Sequence, residues 1–124
     1  MPIDINRYLQ ATSDLGLVEE GITIVSFGIL RRHMPPCNIF FDVRFIEAPH
    51  FSVDPFSPEY SAKLLDQYGI LLENYATTIY FQHQDSGPVT AAIGCNEGRH
   101  RSVAVAEILR DIIPIPVRVK HLDR

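Results

Sequence analysis

Ala91-Ala92-Ile93-Gly94-Cys95-Asn96-Glu97-Gly98-Arg99-His100-Arg101-Ser102-Val103 is the stretch on which the reading of this chain turns. Its apolar start reads as a buried strand that breaks at Gly94, and beyond Arg101 the pattern becomes helical. The turn between them carries Gly98, two arginines, a histidine and a hydroxyl. A helix N-terminus has unpaired N–H groups and the positive end of a dipole, so it favours anions. Gly98 allows close approach of backbone to a ligand, and Arg101 can hold a phosphate or carboxylate through two parallel hydrogen bonds. The ligand or the chemistry is therefore expected here.

Working outward, Gly21-Ile22-Thr23-Ile24-Val25-Ser26-Phe27 is β-branched and reads as a strand ending at Gly28. Asn38–Phe45 reads as another, with Asp42 and Arg44 on one face as a candidate ion pair. Ser57-Pro58-Glu59 is a helix start, with a hydroxyl cap, proline at the first helical position and an acid in the first turn. Helical patterning follows to Tyr68, breaks at Gly69, and resumes over about 70–83, before a turn at 84–88. The spacing predicts a strand over 89–94, a helix over 101–112 stopped by Pro114, and an alternating edge strand over 117–120. Strands interleaved with helices mean α/β: a small mixed, partly parallel sheet with flanking helices. Ligands of such sheets bind beyond the carboxyl ends of the strands, where 94–102 falls.

A length of 124 residues implies one domain with its own core, here 20–124, preceded by an extension over 1–19 with roughly helical spacing. Hydrophobic residues at 46% and charged residues at 21% are globular values and exclude a disordered chain. No apolar run approaches the roughly 18 residues of a membrane span, and no secretory signal is visible. Cys37 and Cys95 form no CxxC pair, and His33, His83 and His121 lack metal-like spacing. No metal or cofactor is thus implied, and a cytoplasmic setting is the default. The net charge of −4 does not suggest a nucleic-acid binder. Its distribution is uneven: residues 1–90 carry 5 Lys+Arg against 11 Asp+Glu, and residues 91–124 carry 6 against 4. Arg99, Arg118, Lys120, His121 and Arg124 in that last segment are the candidates for contact with RNA, against a plain solvated strand.

Cys95 and Arg101 fit C-x5-R with Ser102 following, the pattern of the phosphate loop in cysteine-dependent phosphatases. In that reading a Cys95 thiolate attacks phosphorus, Arg101 holds the equatorial oxygens, and Asp42, Asp54 or Asp85 protonates the leaving group. Against it, Gly94 stands where those phosphatases usually have histidine. In the other reading Cys95 is a small apolar residue closing a strand beside a non-catalytic anion pocket. No G-x-x-x-x-G-K-[ST] loop occurs.

Ile24-Val25-Ser26-Phe27-Gly28, Phe41-Asp42-Val43-Arg44-Phe45-Ile46-Glu47-Ala48-Pro49-His50, the 93–103 stretch with Ala106-Glu107, and the tail 117–124 together resemble the C-terminal domain of the RapZ family of RNase adapter proteins. The order and spacing match over roughly residues 20–124. The resemblance implies a fold like a phosphofructokinase subdomain and a non-enzymatic regulatory role. It further implies a small anionic ligand such as an amino-sugar phosphate, and an RNA or protein partner, with a homo-oligomer compatible. Carried over residue by residue, Ser26, Asp42, His50, Cys95, Asn96, Glu97, Gly98, His100, Arg101 and Ser102 fall on the pocket motifs. The family's N-terminal ATPase half has no counterpart in this sequence, so a stand-alone domain is expected. Asn96-Glu97 replaces the family's usual Thr-Gly, and an added acid in an anion pocket should weaken phosphate binding or change the ligand.

Overall fold

Ile22–Gly28 forms strand β1, and all seven of its residues are buried. Unbroken burial of that kind belongs to a central strand of a parallel sheet, covered on both faces. The computed structural model describes residues 21–47 and 54–124; the extension expected over 1–19 lies outside them. Strand β2 (Ile39–Asp42), helix α1 (Pro58–Ser86), strand β3 (Val89–Cys95), helix α2 (Arg101–Ile112) and strand β4 (Val117–His121) follow in turn. The sheet order is β2-β3-β1-β4. Every pairing is parallel, so the sheet expected to be partly parallel is wholly so among the described residues. Register sets Gly28 opposite Cys95, Asp42 opposite Gly94 and Ser26 opposite His121, which brings four strand ends to one edge.

Helix α1 begins as its sequence dictates: Ser57 Oγ accepts the Tyr60 N–H at 3.2 Å, with Pro58 and Glu59 behind it. The break expected at Gly69 is present as a kink one residue earlier, where Tyr68 leaves helical geometry between two helical halves. One helix runs from Pro58 to Ser86 with a kink at Tyr68 (φ −124°, ψ 17°), and it consumes most of the turn expected at 84–88. Leu64, Leu72, Ala76 and Ile79 are buried on both sides of the kink, and this continuous stripe outweighs the cost of one glycine, about 1 kcal/mol. The kink is held from outside. The Tyr68 hydroxyl accepts the Glu47 N–H at 2.8 Å, and its ring meets Phe45 edge-on. Strand β2 is shorter than expected because the chain turns after Asp42, whose Oδ1 accepts the Arg44 N–H at 3.0 Å.

Both helices pack on β1 and β3 and on each other. The core lies between them and the sheet, with Ile24, Ala91 and Ile93 facing Leu64, Leu72, Ile79, Val105 and Leu109. Helix α2 is buried nearly all round, from Ser102 to Leu109, consistent with its small residues Ala104 and Ala106. Phe41 stacks on Tyr75 with ring centroids 3.9 Å apart, anchoring β2 to α1. At the other edge, β4 turns Arg118 and Lys120 outward, which blunts it against further strand pairing. No described helix is long and apolar enough to cross a membrane.

Gly69 has open space where a Cβ would stand, and its φ is not positive. Gly69→Ala is therefore expected to stabilise the domain by up to about 1 kcal/mol through reduced freedom of the unfolded chain. Chemical denaturation checks this; a loss of stability would mean that the kink itself requires glycine.

Candidate functional site

In a parallel sheet linked by crossover helices, the strand ends and the following helix N-termini share one edge. Here that edge carries Gly28, Asp42, Cys95 and His121, together with the first turns of α1 and α2. The segment after β3 lies flat on the end of β1. Ile29 N–H donates to Cys95 O at 2.7 Å and Leu30 N–H to Asn96 O at 3.0 Å, extending the ladder past the strands. Gly98 takes a positive φ of 75°, and a Cβ there would sit 2.4 Å from the Gly28 nitrogen. A Cβ on Gly28 would likewise meet Glu97 O at 2.5 Å. Two glycine backbones thus touch, and neither position has room for a side chain.

That contact turns the loop inward around Cys95. Its Sγ accepts the Gly98 N–H and donates to Ser102 Oγ, both at 3.2 Å. With Cys95 only 3% exposed and Ser102 fully buried, the thiol is part of the loop's interior wiring. Above it, α2 starts at His100 with no side-chain cap and no acidic residue in its first turn. The unpaired N–H groups expected of a helix start are thus left without a protein carboxylate or hydroxyl acceptor from the cap. The surrounding charge is positive. Burial first, and then Arg124, Arg99 and Arg101, hold the His100 imidazole below its usual pKa.

Arg101 reaches sideways, its Nη1 donating to Arg44 O at 2.6 Å. Arg44 in turn forks onto Asp42 at 2.7–3.1 Å, so the ion pair read from sequence is formed, but across the turn after β2 and not on a strand face. The Arg44 hydrogen bond, with added help from Arg101, keeps the Asp42 carboxyl below its ordinary pKa. Glu97 points away from the loop interior and pairs with Arg31 at 2.7 Å, both side chains about half exposed. Its charge is spent at the rim. Asn96 supplies its carbonyl to Leu30. His50 lies outside the described residues.

A second layer locks the chain end onto the same edge. Ser26 Oγ lies 2.6 Å from His121 Nδ1, and His121 Nε2 lies 2.9 Å from Glu107 Oε2. With Nε2–H donating to the Glu107 carboxylate oxygen, Nδ1 accepts from the serine hydroxyl. Ser26 is fully buried, so this relay ties β1, β4 and α2 together and offers no open nucleophile. Asp123 accepts the Gly28 N–H at 2.7 Å and receives a fork from Arg32, which holds its carboxyl below the usual range. Arg124 donates to Arg99 O, nears Asp54 at 3.7 Å and lies over Phe56. The sequence alone does not point to Asp123 or Arg31, because their partners are 95 and 66 residues away in the chain. Asp85 sits in the last turn of α1, at the opposite edge from Cys95. Among the described residues no cluster of His, Cys, Asp and Glu is placed to hold a metal ion.

Gly98→Ala combines a left-handed backbone with a clash against backbone atoms that cannot move aside. It is expected to cost roughly 2 kcal/mol or more in a denaturant melt; a loss below about 0.5 kcal/mol would show that the loop can shift without penalty.

Residues 56–124 match the RapZ C-terminal domain family. A nucleotide-binding protein of Brevibacillus brevis is 32% identical over an alignment covering 96% of this chain and 44% of that protein. Nucleotide-binding proteins of Corynebacterium diphtheriae and Caldicellulosiruptor bescii are 29% and 34% identical, over 82% and 74% of this chain and 40% and 36% of theirs. The chain thus spans about two-fifths of the length of these curated relatives. With more than half of its residues inside the family match, the chain belongs to the RapZ C-terminal domain family.

Proposed function

We propose that this domain is a non-enzymatic regulatory module that binds a small phosphorylated or otherwise anionic metabolite at the loop 94–102. The observation that carries this is the uncapped start of α2, with no acid in its first turn and Arg99, Arg101 and Arg124 around His100. Oriented N–H groups, a helix dipole and guanidinium groups are the ordinary equipment for an oxyanion. The relatives' name, nucleotide-binding protein, fits a ligand that bears phosphate. Glu97, turned outward onto Arg31, leaves that field intact.

The burial of Cys95 supports the non-catalytic reading over the C-x5-R phosphatase, whose sulfur must reach phosphorus. Regulation would follow from coupling this site to an RNA or protein partner, in a cytoplasmic setting. The closing strand and tail supply the basic groups for such a contact, with Arg118 and Lys120 outward and Arg99 and Arg124 beside the loop. His121 is less available, since both its ring nitrogens are engaged.

A thermal-shift panel of inorganic phosphate and sugar phosphates, against chloride at matched ionic strength, tests the reading. Near ten times Kd, binding adds about 1.4 kcal/mol, a rise of a few degrees in Tm. Arg101→Ala is expected to abolish the rise. No rise with any anion in the wild type would contradict the proposal, and aryl phosphate turnover lost in Cys95→Ser would replace it with the phosphatase.

A further inference from the structure

One buried polar group is unexplained by anything above. Tyr60 is fully buried, yet among the described residues its hydroxyl has no hydrogen-bond partner. Native proteins rarely leave such a group unmet, because its lost hydration is not repaid. The ring itself is well used, packing in the core cluster with Val43, Ile46, Leu64 and Cys95. A phenylalanine would serve that packing role, so the hydroxyl is the part that needs a reason.

Its position supplies one. Tyr60 stands in the first turn of α1, three residues past the Ser57 cap, at the sheet edge where α2 also begins. Cys95, the last residue of β3, and Arg101, the first of α2, lie at that same edge, and Cys95 shares the core cluster with Tyr60. Burial raises the pKa of the hydroxyl, the Arg101 charge opposes that rise, and Cys95 adds to it. The orphan donor, the uncapped α2 start and the Arg101 guanidinium therefore belong to one locale.

We infer that Tyr60 is a ligand-contacting residue of the anion site, its hydroxyl donating to an oxygen of the bound oxyanion from the α1 side. This deepens the proposed function and rests on it. Bound ligand then bridges the first turns of both helices, with Arg101 and the α2 amides on one side and the Tyr60 hydroxyl on the other. It also gives selectivity. A buried donor penalises any ligand that puts no acceptor opposite it.

Tyr60→Phe in the full chain separates this from a structural role. Without ligand, the variant is expected to melt at or above the wild-type temperature, because it loses only an unmet buried hydroxyl. With inorganic phosphate, its affinity by calorimetry is expected to fall roughly tenfold or more, the loss of one hydrogen bond to a charged group. Unchanged affinity would overturn the inference. So would a lower melting temperature without phosphate, which would mean that the hydroxyl holds a structural water. If the wild type binds phosphate and Arg101→Ala does not, while Tyr60→Phe binds normally, this inference alone fails. If the wild type does not bind phosphate, the anion site falls as well.

Discussion

Contact between the backbones of Gly28 and Gly98 is the constraint on which the functional end of this domain depends. It brings the end of β1 within van der Waals reach of the loop after β3, and only a residue without Cβ fits on either side. Because β1 is the central strand, anything seated on its end is placed relative to the whole sheet. The loop cannot drift outward. The hydrogen bonds from Ile29 and Leu30 hold its first residues, and the left-handed turn at Gly98 sends the chain straight into α2.

Three consequences meet at one place. The Cys95 sulfur is enclosed and accepts the Gly98 N–H. The start of α2 has no side-chain cap from His100 and lies among arginines. The tail is drawn in, since Asp123 accepts the Gly28 N–H and Leu122 N–H donates to Ser26 O at 2.9 Å. The loop after β3 and the tail thus meet at Gly28, and the tail is fastened to Ser26 as well. The loop and the tail are therefore joined through hydrogen bonds at the end of the central strand.

Local chemistry was legible where one short segment determined the outcome. The α1 cap at Ser57-Pro58, helix α2 over 101–112 and the buried strands β1 and β3 are written in residues next to one another. The interruption near Gly69 was legible to within one residue, as the kink at Tyr68, whereas the packing of Leu64, Leu72 and Ile79 that carries the helix on past it is reported by no local propensity. At the site, residues 94–102 stood out as glycine, arginine and hydroxyl between strand and helix. The direction of Glu97 did not, since its partner Arg31 is 66 residues away. Tyr60 was invisible for a different reason: in sequence it is one more aromatic in a helix, and only a fully buried, partnerless hydroxyl sets it apart.

The most direct test of this account is an amide-resolved NMR titration of the uniformly 15N-labelled chain with inorganic phosphate. If the glycine-held loop is an anion site, saturable shifts should concentrate on the amides of Gly98, His100, Arg101 and Ser102, with weaker effects at Gly28. Shifts confined to the exposed basic positions 118–124, growing linearly without saturation, would contradict it and leave only diffuse charge attraction.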